Sequence, residues 1–340
     1  MKKIAVEQSV GKILCHDITA VRDGFKGRAF ARGHVIKQED IPNLLDMGKK
    51  YIFIWEDQEN EIHEDDAALR LASMAPVKGT FYSGPYEGKM TLTAAVKGQF
   101  RVNKTLLSKL NTIGDITITT LPDHFRVEPD MKLAGLRIVP LTTEKKQIEQ
   151  AEVICAQSPI PLFTIKPYQK LKVGIIITGS EIFNGRIKDR FEPLIRKKLS
   201  YFEADILDIV ICDDIPDMLQ SIASTFIRKD VDLLIFTGGM SVDPDDITPT
   251  VMRATGAEVI THGVPIQPGN MFMLAYLGNT ALIGVPSAAI QHSTTILDVV
   301  LPQLFTGERF YKADFVAMAE GGSCLGCEIC HYPICTFGRY

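Results

Sequence analysis

The sequence has no apolar run of the length that a transmembrane helix needs. Spanning a bilayer takes roughly 20 consecutive apolar residues, and no stretch of this chain approaches that length. The two lysines after Met1 are also not followed by the apolar segment that a secretory signal contains. We therefore expect a cytoplasmic protein that has no membrane partner.

The sequence also lacks an excess of positive charge. Its 37 lysines and arginines are outnumbered by 41 acidic residues, which gives a formal net charge of −4. Because binding along a nucleic acid needs a positive surface, we expect no nucleic-acid partner. A small phosphorylated ligand is compatible with this charge, since helix N-termini and backbone amides can hold one phosphate.

Cysteine is scarce outside the end of the chain. Cys15, Cys155 and Cys212 are scattered singly, whereas the other four cysteines lie close together. In a reducing compartment, such clustering favours a metal over disulfides. The four candidate metal ligands form a C-x2-C-x2-C-x4-C run: Cys324, Cys327, Cys330 and Cys335.

This cysteine run leaves three alternatives open. It is similar to the cluster-binding run of ferredoxins, although its final interval is one residue longer and a proline precedes the last cysteine. Zinc would also accept four thiolates, but its sites more often join two separated pairs. The third alternative is a disordered tail that carries thiols and no metal. Spacing alone does not identify the metal.

The length of 340 residues predicts more than one domain. We predict an N-terminal α+β region over 1–75, with a helix at 38–47 and a strand at 51–55, and a Cys-rich tail over 320–340. Between them we predict a β-rich segment with a connecting helix over 76–157, with strands at 92–96, 116–120 and 136–139 and the helix at 142–156. A proline-containing linker then leads to an α/β domain over 168–310.

The fold class of that α/β domain follows from a regular alternation of elements. Apolar strands are predicted at 173–178, 206–211 and 232–237, and amphipathic helices lie between them, the second capped by Asp213 or Asp214. Buried strands separated by helices predict a doubly wound, mostly parallel sheet. A ligand should then bind at the carboxyl ends of the strands, where the strand order reverses.

Two glycine turns fall on that predicted edge. The first strand runs into Thr178-Gly179-Ser180-Glu181, and the third runs into Thr237-Gly238-Gly239-Met240-Ser241. Glycines allow close approach to an anionic oxygen, and amides and hydroxyls can donate hydrogen bonds to it. Considered alone, each turn could equally be a tight connection from strand to helix.

An acidic segment follows the second turn. Asp243, Asp245 and Asp246 precede a helix that Asp246 could cap and whose first turn takes Pro249. Clustered carboxylates beside a phosphate site are typical of Mg²⁺ binding, in which the ligand's own oxygens complete the shell. The alternative is a helix cap with solvated acidic side chains.

These motifs together resemble the molybdenum cofactor biosynthesis domain, which molybdopterin adenylyltransferases and molybdenumtransferases share. The residues that carry the resemblance span 172 to about 305: Thr237-Gly238-Gly239, Asp246-Ile247-Thr248-Pro249, Gly179-Ser180-Glu181-Ile182, Pro268-Gly269 and Gly284-Val285-Pro286. Upstream, 11–19, 25–30 and 134–137 are similar to the molybdenumtransferase-like members, which favours that branch.

The resemblance implies a function and a set of site residues. It implies Mg²⁺-dependent insertion of molybdate into adenylylated molybdopterin by a homo-oligomer, with Asp246 and Glu181 as the catalytic residues. Molybdenum and tungsten are not distinguished. The resemblance and the glycine turns together give these candidate residues for binding molybdopterin: Thr178, Gly179, Ser180, Thr237, Gly238, Gly239, Ser241, Asp243, Asp245, Pro268, Gly269, Pro286 and Ser287.

Departures from the family pattern support two alternative functions. Ser180 and Pro244 stand where molybdenumtransferases have aspartates, Asn270 replaces a lysine that binds anions, and Ser287-Ala288-Ala289 replaces Gly-Asn-Pro. These changes favour a non-catalytic carrier or sensor of molybdopterin. The cysteine run favours a redox-linked maturation partner.

Overall fold

The computed structural model describes residues 1–22, 25–55 and 59–339. The chain forms two compact units, one of residues 1–95, 102–121 and 129–164 and the other of residues 96–101, 122–128 and 165–340. Among the described residues, no helix combines the length and the apolar character that crossing a membrane requires. The finer division into four segments stays a prediction.

The elements up to residue 166 are mostly short strands, and a 3-10 turn covers Val6–Gln8. They are β1 (Lys2–Ala5), β2 (Ile18–Arg22), β3 (Phe25–Phe30), α1 (Asp40–Asp46), β4 (Tyr51–Ile54), β5 (Glu61–His63), α2 (Glu64–Ser73), β6 (Thr80–Tyr86), β7 (Lys89–Ala94), β8 (Gly98–Val102), α3 (Lys104–Asn111), β9 (Ile116–Thr120), β10 (Phe125–Val127), β11 (Lys132–Ile138), β12 (Thr142–Glu144), α4 (Lys145–Gln157) and β13 (Phe163–Lys166).

The first unit contains an antiparallel sheet in the order β6-β7-β11-β9. The strand predicted at 116–120 is confirmed as β9, whereas β7 and β11 start several residues before the predicted strands. The helix predicted from 142 begins only at Lys145, because Thr142 and Thr143 pair with His63 and Ile62 of β5 as an extended strand. Cross-strand pairing therefore overrides the local helix pattern.

The elements of the second unit after residue 166 alternate between strands and helices. They are β14 (Lys172–Thr178), α5 (Ser180–Phe183), α6 (Phe191–Ser200), β15 (Asp205–Cys212), α7 (Pro216–Arg228), β16 (Leu233–Thr237), α8 (Thr248–Ala254), β17 (Glu258–His262), β18 (Met273–Leu277), β19 (Thr280–Val285), α9 (Ala288–Gln291), α10 (Ile296–Phe305) and α11 (Lys312–Ala317).

These strands form a six-stranded sheet in the order β15-β14-β16-β19-β18-β17. The first four are parallel, while β18 pairs antiparallel with both β19 and β17. The prediction of a mostly parallel, doubly wound sheet is confirmed. Because β14 comes first in the chain and lies between β15 and β16, the strand order reverses beside it.

Side chains of β14 alternate between two buried cores. Val173, Ile175 and Ile177 belong to the core that includes residues of α6 and α10, and Ile176 belongs to the core that includes residues of α7 and α8. Successive strand residues point to opposite faces, so a continuous apolar run fits a sheet covered on both sides. Its two faces are therefore filled by helices, and the strand ends are the part left for a ligand.

Candidate functional site

The two glycine turns touch each other where the strand order reverses. Thr178 and Thr237 are the last residues of the neighbouring strands β14 and β16, and Ile177 is the register partner of Thr237. Gly238 has a φ of +85°, and a Cβ there would lie 2.1 Å from the carbonyl oxygen of Thr178. Glycine tolerates a positive φ and has no Cβ. The backbones of the two turns can therefore come together at this edge.

The hydroxyl of Thr237 is buried without a partner. The residue has 0% exposure, and its Oγ1 has no hydrogen bond within the described parts of the chain. Leaving a buried hydroxyl unsatisfied costs about 1–3 kcal/mol. The hydroxyl of Thr178, in contrast, donates to Asp214 Oδ1 at 2.5 Å. The edge thus carries one satisfied hydroxyl and one buried hydroxyl that has no partner among the described residues.

Asp213 and Asp214 are not the helix caps that the sequence predicts. Helix α7 begins at Pro216, its N-cap residue is Ile215, and no side chain caps it. The proline at the helix start needs no partner for a backbone N–H, which lessens the need for a side-chain cap. The two aspartates are therefore available for other contacts.

Those contacts hold the first glycine turn. Asp214 accepts from the backbone N–H of Ser180 at 2.8 Å as well as from Thr178, and Asp213 accepts from the Ser180 hydroxyl. Cys212, the register partner of Thr178, ends the neighbouring strand β15, so the aspartates after it reach the same edge. Sequence reasoning missed this role, although their position after a parallel strand was the available signal.

The same contacts explain why serine fits at position 180. An aspartate there would bring a third carboxylate beside Asp213 and Asp214, and like charges in close contact repel. The Ser180 hydroxyl instead donates to Asp213. The departure from the family pattern at this residue is therefore matched by its surroundings.

The acidic segment forms a turn of its own. The backbone N–H of Asp246 donates to the carbonyl oxygen of Asp243 at 3.0 Å, and that of Asp243 donates to Asp246 Oδ2 at 3.3 Å. Asp243 and Asp245 are exposed, and Asp246 is partly exposed. The prediction that Asp246 caps the next helix is wrong, because α8 begins at Thr248 with Ile247 as its N-cap residue.

Thr248 connects the acidic segment to the second glycine turn. Its hydroxyl donates to the carbonyl oxygen of Gly238 at 2.9 Å, and its backbone N–H donates to that of Gly239 at 3.2 Å. A Cβ on Gly239 would lie 2.8 Å from the Thr248 hydroxyl oxygen. This close packing holds Thr248, just after the acidic segment, against the second glycine turn.

Two further predicted turns lie beside these elements. Pro286 and Ser287 follow β19, whose last residue Val285 is the register partner of Thr237. Pro268 accepts from the backbone N–H of Ile296 at 3.3 Å, next to the N-terminus of α10. The ends of three neighbouring strands therefore bring together residues 178–180, 237–239 and 286–287. The side chains of Glu181 and Ser241 are exposed.

All four tail cysteines line one cavity of about 220 Å³, together with the loop of residues 291–294. They are free thiols. Cys330 Sγ lies 3.0 Å from Thr294 Oγ1, and this hydrogen bond lowers the pKa of the thiol. Within residues 1–22, 25–55 and 59–339, no three histidine, cysteine or acidic side chains are grouped as a metal site. Neither the tail thiols nor the acidic segment is a closed metal site by itself.

The fold and the touching turns define a doubly wound α/β domain whose sheet edge suits an anionic ligand. Residues 174–306 match a family model described as a probable molybdopterin binding domain. The predicted family resemblance is thereby confirmed for this segment. A second model, for a domain of unknown function, matches residues 3–56.

Curated relatives match parts of the chain. A CinA-like protein of Mycobacterium sp. (strain JLS) is 36% identical over 90 residues, which are 26% of this chain and 21% of that protein. A molybdopterin molybdenumtransferase of Haemophilus influenzae is 28% identical over 218 residues, which are 60% of this chain and 52% of that protein. The chain thus spans about a fifth to a half of the length of these relatives.

A solved structure is also similar to part of the chain. The molybdopterin biosynthesis enzyme MoaB of Thermus thermophilus has a TM-score of 0.33 and 20% sequence identity. The similarity covers 41% of this chain and 98% of that one.

Proposed function

We propose that the domain of residues 172–305 binds molybdopterin, with its phosphate at the touching glycine turns. The observation that carries this proposal is the contact between Gly238 and Thr178 beside the unpartnered hydroxyl of Thr237. Backbone amides of the turns and that hydroxyl would donate to phosphate oxygens without a basic side chain. Residues around 268–269 and 286–287 would then line the pterin.

We further propose that the bound ligand is adenylylated molybdopterin and that the chain inserts molybdate into it. Asp246 and Glu181 are the candidate residues for holding Mg²⁺, which would neutralise charge on the phosphates. Asp243 and Asp245 lie on the same turn and offer further oxygen ligands, which Mg²⁺ prefers. Because these carboxylates are not grouped by themselves, the ligand's phosphates would complete the shell. We expect this activity in the cytoplasm and in a homo-oligomer.

A non-catalytic carrier or sensor is the second candidate function. Its supporting observation is at position 180, where molybdenumtransferases have an aspartate and this chain has a serine. The Ser180 hydroxyl donates to Asp213. Asn270 adds no positive charge where the family has a lysine, so attraction of molybdate would be weaker. Under this alternative the domain holds molybdopterin without turnover.

The test is anaerobic calorimetry with molybdopterin and with its adenylylated form in the presence of Mg²⁺. Molybdate is then added, and released AMP is measured by mass spectrometry. Asp246→Asn should reduce the rate of AMP release roughly 100-fold while binding persists. The control is Asp205→Asn, which changes an exposed acid at the opposite end of β15.

Each outcome separates the candidates. Binding with AMP release that depends on Asp246 supports the transferase, and binding without release supports the carrier. AMP release that Asp246→Asn leaves intact would overturn the catalytic assignment, and absence of binding would overturn both functions.

A further inference from the structure

The cysteine tail is held in place on both sides of its thiols. Before them, the backbone N–H of Gln267 donates to Gly322 at 2.8 Å, and that of Cys324 donates back to Gln267 at 2.9 Å. These two bonds make a short parallel bridge between Gln267 and Ser323. The entry to the tail is therefore attached to the segment that carries the turn at 268–269.

Two aromatic residues attach the tail to the α/β domain, Tyr332 between the last two cysteines and Phe337 beyond them. The Tyr332 hydroxyl donates to the carbonyl oxygen of Asp298 in α10 at 2.9 Å. Phe337 is only 3% exposed and belongs to the main core of the domain. The two ends also meet, since Gly338 N–H donates to Gly321 at 3.0 Å. The segment between these anchors is thus a closed loop.

This closed loop holds its four thiols around one cavity. Cys324, Cys327 and Cys330 are exposed, Cys335 is partly buried against the core, and all four line the cavity of about 220 Å³. The bridge at Gln267, the hydrogen bond of the Tyr332 hydroxyl and the buried ring of Phe337 do not use a thiol. The sulfurs can therefore move inward while these anchors hold the loop.

The size of the cavity and the spacing of the cysteines favour a centre of several atoms over a single metal ion. Zinc bound by four sulfurs at about 2.3 Å would fill a compact tetrahedral site and leave no hollow. A cluster of several iron and sulfide atoms needs more room, and closely spaced cysteines in one short segment are typical of its ligands. The interval of four residues before Cys335 lets the last ligand approach from the buried side of the cavity.

We infer that Cys324, Cys327, Cys330 and Cys335 ligate an iron–sulfur cluster in this cavity. The anchored loop forms most of the wall, and residues 291–294 form the side that belongs to the α/β domain. None of the residues that line this cavity belongs to the glycine turns at 178–180 and 237–239, and the cluster would form without molybdopterin.

The experiment is anaerobic reconstitution of the full chain with iron and sulfide, and in a second sample zinc is offered together with them. Iron and acid-labile sulfide are counted per chain, and visible absorption and electron paramagnetic resonance identify the cluster. We expect iron and sulfide in equal amounts. Cluster formation should also protect the four tail cysteines from alkylation, as read by mass spectrometry.

Four single Cys→Ser variants, at 324, 327, 330 and 335, should each lose most of the bound iron. The matched control is Cys155→Ser, which changes a partly exposed cysteine of the first unit and should keep the full amount. Circular dichroism checks that every variant is folded. Because no pterin is present, the result is independent of the proposed function.

Three results would overturn the inference. One is uptake of zinc without iron when both are offered, which would make the centre a zinc site. Another is iron that persists equally in all four variants, which would mean adventitious binding. The third is full alkylation of the tail cysteines after reconstitution.

Discussion

The glycine turns and the cysteine tail each bring several polar groups together, but different elements position them. At the glycine turns, the parallel register of β14, β16 and β19 sets the positions, and a backbone contact holds Gly238 against Thr178. In the tail, a loop with little regular structure is attached by a few anchors such as Phe337. Substitutions that break contacts within the turns should therefore destabilise the domain, whereas substitutions that remove an anchor of the tail should release a local segment.

The largest effect is expected from Gly238→Ala. The new Cβ would overlap the Thr178 carbonyl oxygen in a backbone conformation that alanine disfavours, so the free energy of unfolding should fall by roughly 3 kcal/mol or more. The control is Gly278→Ala, which has a φ of +60° and no atom within 4 Å of the new Cβ. It should lose only about 1–2 kcal/mol. Equal losses in urea unfolding would contradict the close contact of the turns.

Next in size is Phe337→Ala, which tests whether the tail is a locally attached segment. Removing a buried phenylalanine should weaken docking of the tail by up to about 3 kcal/mol. Limited proteolysis followed by mass spectrometry should then show faster cleavage within 321–338. Ile334→Ala, at a residue that is 75% exposed, is the matched control and should not change the cleavage rate. Comparable cleavage in both variants would refute anchoring by Phe337.

A smaller effect is expected from Asp214→Asn. One carboxylate oxygen that accepts from Ser180 or Thr178 would become an amide donor, so the turn should lose about 1–2 kcal/mol of stability. Asp217→Asn changes an exposed acid in the first turn of α7 and should have little effect. Thermal unfolding of both variants measures the difference. If Asp214→Asn were neutral, the aspartate would not hold the turn.

The smallest effect on stability is expected from Thr237→Val, and its sign should differ from that of Thr248→Val. Because its hydroxyl has no partner, its removal should leave stability unchanged or raise it by up to about 1 kcal/mol. Thr248→Val should instead lower stability by about 1 kcal/mol, since its hydroxyl donates to Gly238. Molybdopterin affinity of Thr237→Val should fall about fivefold if the hydroxyl meets a phosphate oxygen. A loss of stability in Thr237→Val would show that the hydroxyl is satisfied.

The sheet and its glycine turns were predictable because their signals are local. A continuous apolar run such as 173–178 needs burial on both faces, and a threonine–glycine pair directly after it predicts a turn at the strand end. The contact between Gly238 and Thr178 then follows from the parallel order of the strands. Strand register and side-chain burial therefore determine most of the geometry at this edge of the sheet.

Other contacts were not predictable because they depend on tertiary structure. Asp213 and Asp214 fit a local cap preference, yet they accept hydrogen bonds from a turn that follows another strand. The tail has no periodic apolar pattern, so its anchors at Tyr332 and Phe337 could not be distinguished from its exposed apolar residues, such as Ile334. Its spacing indicated thiolate chemistry but not the shared cavity.

The bridge at Gln267 offers a measurement that needs no added probe. The backbone amide hydrogens of Gln267 and Cys324 are protected from solvent exchange only while the tail is docked, because each donates across the bridge. Their exchange rates would report undocking events, even rare ones, from both partners at once. Deuterium uptake at these two amides would thus measure the free energy of opening of the tail in the unmodified protein.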